Sequence, residues 1–153
     1  MAIDGCTVYL VARPPASTEQ VRQRMSRQRS RDTGAELALR SRLHAMGLRY
    51  RLHIKPIPDL RRSADIVFGQ ARVAVMVDGC FWHKCPIHAT SPKANSEWWA
   101  SKLDANAERD RETDSRMSAA GWSVIRVWEH EDMGEAADRI RSVVLEHRRS
   151  VND

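Results

Sequence analysis

The chain has 153 residues, 29% of them charged, with a net charge of +5 and a pI near 9.6. That length suits one domain whose core needs no disulfide staples, and the basic balance favours an anionic partner such as nucleic acid. Three cysteines are an odd count, which argues against a secreted disulfide framework and for a reducing, cytoplasmic setting; no apolar run is long enough to span a membrane.

Residues 1–16 read as a flexible extension and 17–153 as a single domain. The run at 6–12 is apolar, but no basic segment precedes it, so it does not read as a signal peptide. Pro14-Pro15 ends that run. Arg22, Arg24, Arg27, Arg29 and Arg31 then stand among Gln and Ser, as either a solvated charged face or an arm that contacts phosphates.

Thr33-Gly34-Ala35-Glu36 is a capping box, with Thr33 at the N-cap and Glu36 three residues on. The helix behind it places Leu39, Leu43 and Met46 on one face and stops at Gly47. Residues 48–54 predict a short strand, which Pro56 and Pro58 end. Asp65–Phe68 and Arg72–Val77 predict two strands around a tight turn at Gly69-Gln70. The second is apolar almost throughout, as in a central strand buried on both faces. A polar helix over about 96–119 carries Trp99, Leu103, Ala107 and Met117, and Gly121 ends it. Trp122–Trp128 predicts a strand. A last helix over 134–148 puts Ala137, Ile140, Val144 and His147 on one side. This order predicts an α/β sandwich around a mixed sheet.

The densest chemistry lies in Asp78-Gly79-Cys80-Phe81-Trp82-His83-Lys84-Cys85-Pro86-Ile87-His88. Cys80, Cys85 and His88 offer three zinc ligands within nine residues. Structural zinc takes four, and His130, just past the strand 122–128, is the candidate fourth. The metal would hold a loop that has no core of its own; the alternative is two buried thiols and surface histidines. Asp65, where a strand opens, is either a Mg²⁺ ligand or a turn residue. Mg²⁺ there would polarise a phosphate and activate water. Asp78 and His83 end the neighbouring strand, and His83 in that place can take a proton from the water. Glu36 either adds a contact beside that metal or is explained by its capping role. Phe81, Trp82, Trp98 and Trp99 are four of the nine aromatic residues. They serve as core packing, or stack on bases and wedge between base steps.

Gly79-Cys80-Phe81-Trp82-His83 after an apolar strand resembles the signature of the very short patch repair (Vsr) DNA mismatch endonucleases. Arg31-Asp32-Thr33 with Glu36, then Asp65, Trp99-Ala100-Ser101-Lys102, Asn106, Arg109, Asp110, Gly121-Trp122 and Val127-Trp128-Glu129 follow in that family's order. The resemblance covers about residues 22–132. It implies a restriction-endonuclease-like three-layer fold with a central mixed sheet and a structural zinc site. It implies Mg²⁺-dependent hydrolysis of one strand 5′ to the T of a T:G mismatch, the product of 5-methylcytosine deamination. Asp65 and the backbone carbonyl of Val77 would hold Mg²⁺, and His83 would be the general base. Phe81, Trp82 and Trp99 would be the wedge, and Cys80, Cys85, His88 and His130 the zinc ligands. The partner would be double-stranded DNA carrying the mismatch, met by a monomer, with other mismatch-repair proteins nearby.

Three features depart from the pattern. Asp78 stands where the family's best-known member has a catalytic histidine, and would bind metal or orient His83 instead. His130 stands where a cysteine is often found. The strand 72–77 lacks the second acid and lysine of ordinary restriction enzymes, a lack that this family shares. Two other readings compete: a zinc-stabilised DNA-binding module without catalysis, and a restriction-type nuclease that cuts intact sites.

Overall fold

The structure is a computed structural model that describes residues 13–28, 31–88 and 90–152. The expectations for residues 1–12 and for Arg29 lie outside the described residues.

Where the charge pattern predicts only a basic arm, Glu19–Arg27 form a helix, α1. Thr18 caps it by accepting from the Val21 N–H at 3.2 Å. No residue of α1 is buried, so it carries no apolar stripe that would betray it. The capping box opens α2, Gly34–Ala45. Thr33 Oγ1 accepts from the Glu36 N–H at 3.3 Å, and the Glu36 carboxylate reaches back past Thr33 to the Asp32 N–H at 3.0 Å. The helix ends in a Schellman motif: Gly47 takes φ +77°, and the Leu48 N–H donates to the Leu43 carbonyl at 3.1 Å.

Four strands follow the predicted order: β1 Arg51–Ile54, β2 Ala64–Phe68, β3 Val73–Asp78 and β4 Ser123–Trp128. They form a mixed sheet in the order β1-β2-β3-β4. The pairs β1–β2 and β2–β3 are antiparallel, while β3 and β4 are parallel. The crossover between the parallel pair is α3, Ser96–Ala119, and the chain closes with α4, Met133–Asn152.

Side chains of β3 alternate between two cores. Val73 and Val75 join Leu39, Leu43, Ala137, Ile140 and Val144 from α2 and α4. Ala74 and Met76 join Leu60, Val67 and Met117 on the α3 face. The sheet is therefore covered on both faces, in three layers. The predicted buried character of the β3 segment is observed.

The parallel register matters most for function. Asp78 lies opposite Trp128, so both strands end together. Glu129 and His130 consequently emerge beside Gly79 and Cys80. The Glu129 N–H donates to the Asp78 carbonyl at 3.0 Å, and the Cys80 N–H donates to Glu129 Oε1 at 2.8 Å.

Candidate active site and metal centre

The joined strand ends bring four sulfur and nitrogen donors together. Cys80 Sγ lies 3.1 Å from His130 Nδ1, Cys85 Sγ lies 3.6 Å from the same nitrogen, and His88 Nδ1 lies 3.9 Å from Cys85 Sγ. One ligand atom from each of Cys80, Cys85, His88 and His130 falls within a 4.8 Å cluster able to hold a metal ion. Both thiols are buried and both imidazoles are exposed. Burial, with the Cys85 thiol beside it, pushes the Cys80 thiol up to about 11. A shared cation is what would let both sulfurs ionise.

The second constellation lies around a cavity of about 300 Å³ lined by Glu36, Val77, Trp82, His83 and Glu129, with Met25 and Gln28 of α1 at its rim. His83 Nδ1 sits 2.6 Å from Asp110 Oδ2 on α3. Burial pushes the imidazole down. The Asp110 hydrogen bond and the Asp78 charge outweigh that and hold it above its usual range. With Nδ1 engaged, Nε2 is left to exchange a proton.

Asp78 plays a different part. It is 3% exposed, and Arg126 Nη1 donates to both its oxygens at 2.9–3.0 Å. Arg126 also donates to Asp114 through Nε at 2.9 Å and Nη2 at 2.8 Å. His83 Nδ1 is 3.8 Å from Asp78, beyond hydrogen-bond length, so Asp110 is the carboxylate that orients the ring. Burial lifts the Asp78 carboxyl above its usual range despite Arg126 and His83.

Asp65 opens onto the same strand end. Its Oδ2 accepts from the Val77 N–H at 2.7 Å, and burial pushes the carboxyl up to about 6. Beside it stands a cluster absent from the sequence expectations. His53 Nδ1 faces Asp65 Oδ1 at 3.9 Å, and His53 Nε2 lies 3.1 Å from Arg40 Nη2. His53 Nε2 also lies 3.6 Å from Asp32 Oδ1. Arg40 also donates to Asp32 at 2.7 Å and Glu36 at 3.1 Å. Asp32, Glu36 and His53 are close enough to share a cation, and the Arg40 guanidinium supplies one. Asp32 and His53 take φ of +53° and +51°, a left-handed backbone that non-glycine residues pay for with strain. Glu36, 2% exposed, is thus bound into its cap and to Arg40 while still facing the cavity.

The aromatic residues form one cluster. Phe81 contacts Trp82 and Trp99 edge-on at 5.1 and 5.3 Å, and Trp98 contacts Trp99 at 4.9 Å. Trp99 is 8% exposed. It is the support of the cluster, and Phe81, Trp82 and Trp98 present the accessible surface. Arg27, on the last turn of α1, and Arg31 are exposed.

Sequence reasoning thus missed His53, Arg40 and Arg126. Arg126 had a signal, being a lone charge in an otherwise apolar strand. His53 and Arg40 had none, since neither sits in a spaced motif.

Comparison with known proteins agrees with this arrangement. Residues 16–88 match the family described as DNA mismatch endonuclease Vsr. Type II nicking enzyme V.NaeI of Lentzea aerocolonigenes is 41% identical over 138 residues, 87% of this chain and 83% of that protein. Type II nicking enzyme V.XorIIP of Xanthomonas oryzae pv. oryzae is 39% identical over 84% of this chain and 94% of its own length. DNA mismatch endonuclease Vsr of Escherichia coli is 36% identical over 65% of this chain and 63% of that protein. The catalytic domain of the homing endonuclease I-Bth0305I shares the fold, with a TM-score of 0.52 and 17% identity over 76% of this chain and 98% of that one. The sequence matches place this chain in the Vsr endonuclease family.

Proposed function

We propose that the chain is a DNA endonuclease that nicks one strand of a duplex 5′ to the T of a T:G mismatch, starting very short patch repair. The observation that carries this reading is the His83–Asp110 pair at 2.6 Å, set in the cavity that Glu36 and Val77 also line. Asp65 and the Val77 backbone carbonyl would hold Mg²⁺, which when bound supplies Lewis-acid polarisation of the phosphate and of water.

The chain's own groups do the rest. The Val77 N–H fixes one oxygen of Asp65, and His53, itself in contact with Arg40, stands 3.9 Å from the other. Asp110 fixes the His83 ring, so that Nε2 accepts the proton of the attacking water. Asp78 and Arg126 neutralise each other and keep β3 and β4 in register behind that imidazole.

The Cys80, Cys85, His88 and His130 donors suit a structural zinc. Two thiols and two imidazoles make a complete zinc set, and one ligand atom from each lies within 4.8 Å of the others. The ion would fix the turn that aims Phe81 and Trp82. A T:G wobble stacks less well than a Watson–Crick pair, so wedging aromatic rings beside it costs less deformation. Trp99 would brace the wedge from below. Arg27, Arg29 and Arg31 would add salt-sensitive phosphate contacts.

The reading takes the chain as a monomer with one restriction-endonuclease-like domain over 17–153. Among the described residues no helix is long and apolar enough to cross a membrane. A cytoplasmic enzyme working beside other mismatch-repair proteins is in keeping with that.

The test incubates matched and T:G-mismatched duplexes with the protein and Mg²⁺, alongside Asp65→Ala. Nicking confined to the mismatched duplex and lost in the variant is expected. A second reading has specific support, because V.NaeI and V.XorIIP are named type II nicking enzymes. Equal nicking of the paired duplex at a fixed sequence would favour it. No nicking of either duplex would leave the reading of a DNA-binding module without catalysis.

A further inference from the structure

A groove of about 610 Å³ runs beside the edge strand β1 to the β2–β3 turn. Arg49, Arg51, Lys55 and Arg148 line it, and among the described residues no acidic side chain does. Some arginines elsewhere are neutralised: Arg40, Arg62, Arg126 and Arg139 each have a carboxylate within 3.0 Å. None of the four groove cations has such a partner among the described residues, and Arg148 Nε is buried with no hydrogen bond at all. Unneutralised charge gathered into one concavity raises the local concentration of an anion.

The groove is not simply basic. Tyr50 and Trp122 line it, both half-buried. The Tyr50 hydroxyl donates to the Arg40 carbonyl at 3.0 Å, which pins its ring. Trp122 directly precedes β4, whose first residue pairs with Val73 at the turn end of β3. Asp78 marks the other end of β3, five residues away and so about 17 Å along the strand. The Trp122 end of the groove is therefore separated from the His83 cavity by the length of the sheet.

We propose that this groove binds an unpaired stretch of nucleic acid, with phosphates on Arg49, Arg51, Lys55 and Arg148 and a base against Trp122 or Tyr50. Charge selects an anion, and the aromatic rings select among anions. A duplex shows its phosphates but hides the faces of its bases, so it would leave these rings unused. An acidic peptide brings carboxylates with no ring to stack.

The test measures binding of a fluorescein-labelled 12-nucleotide oligothymidylate to the full chain by anisotropy across a salt series. The comparison is the triple substitution Arg49→Gln/Arg51→Gln/Lys55→Gln, at three exposed positions. Losing three phosphate contacts should weaken binding by at least about ten-fold and flatten the log–log salt slope by roughly 2. Nicking of a short T:G duplex should stay within about two-fold, since the His83 cavity is untouched. An unchanged slope in the triple variant, or no binding by the parent chain, would overturn the proposal. So would parallel loss of oligonucleotide binding and duplex nicking, which would make the groove part of the duplex cradle. Equally tight binding of an oligoglutamate of matched charge would also overturn it, by removing the role of the rings. A parent chain that binds the oligonucleotide through this groove without nicking any duplex would leave the proposal standing and remove the endonuclease reading.

Discussion

Two aspartates, Asp78 buried and Asp65 half-buried, stand at the same end of the sheet and have opposite fates. Asp78 has both oxygens held by Arg126. Asp65 has one backbone N–H on Oδ2, a histidine 3.9 Å from Oδ1 and a carboxyl pushed up to about 6. A buried carboxylate with a guanidinium of its own is a structural element. One that is desolvated and lacks a cation is poised to receive one. The difference separates two residues that the sequence alone puts in one catalytic group.

The comparison can be broken most sharply at Asp65. Asp65→Asn should abolish nicking, by more than about 10³-fold, while urea unfolding shows stability unchanged or raised, because a costly buried charge is gone. A nicking rate near that of the parent would end the assignment. Asp78→Ala should do the reverse in kind. It takes the bidentate partner from the Arg126 guanidinium, leaving Asp114 and the more distant Asp110, and should cost about 3 kcal/mol of unfolding free energy. A change below about 0.5 kcal/mol would mean that the pair contributes no net stability.

Next in size is Asp110→Asn. His83 must be neutral to act as a base, and its folded pKa is raised, so nicking should climb with pH through a value above the usual ~6.5. Removing the Asp110 charge lowers that pKa. The acid limb set by His83 should move to lower pH, and the plateau rate should fall about 10²-fold as orientation is lost. The same shift works on stability. Protonated His83 favours the fold below about pH 6.5, and that contribution fades as pH rises through its raised value. It should shrink in the variant, where Asp78 alone still raises the imidazole. A limb that stays in place would dismiss Asp110 as the orienting group. The smallest effect should come from His53→Gly, since glycine takes φ +51° without strain and only the side chain is lost. The Mg²⁺ needed for half-maximal nicking should rise about ten-fold, with the rate at saturating Mg²⁺ nearly restored. Mn²⁺ binding followed by calorimetry should weaken in step, and no weakening there would leave His53 a purely structural residue.

How much of this was visible in the residues follows the physics of each part. β3 and β4 are legible because burial on a covered sheet demands apolar runs. The capping box and Gly47 mark both ends of α2. The GCFWH turn is legible because few purposes gather thiols, imidazoles and aromatic rings so closely. α1 is not, because a helix with no buried face leaves no period to read. The three-dimensional partners are the other gap. Arg126 lies in β4, beyond the whole of α3 from the loop it serves, and His83 finds Asp110 27 residues downstream. Nothing local announces either pairing. Trp99 shows the limit of composition, since an aromatic residue in a polar helix reads as exposed until its neighbours are known.

The parallel pairing of β3 with β4 also governs the order of assembly. Cys80 and His130 are 50 positions apart yet 3.1 Å from each other. Between them lie all of α3 and β4. A cross-link closing a loop of that length removes about 4 kcal/mol of chain entropy from the unfolded ensemble, so a metal shared by the two residues would steady the whole crossover as well as the turn. On a growing chain the fourth donor arrives only after the crossover helix and last strand have been made. The turn that carries Phe81 and Trp82 would therefore have to wait for the end of β4 before a shared ion could fix its shape.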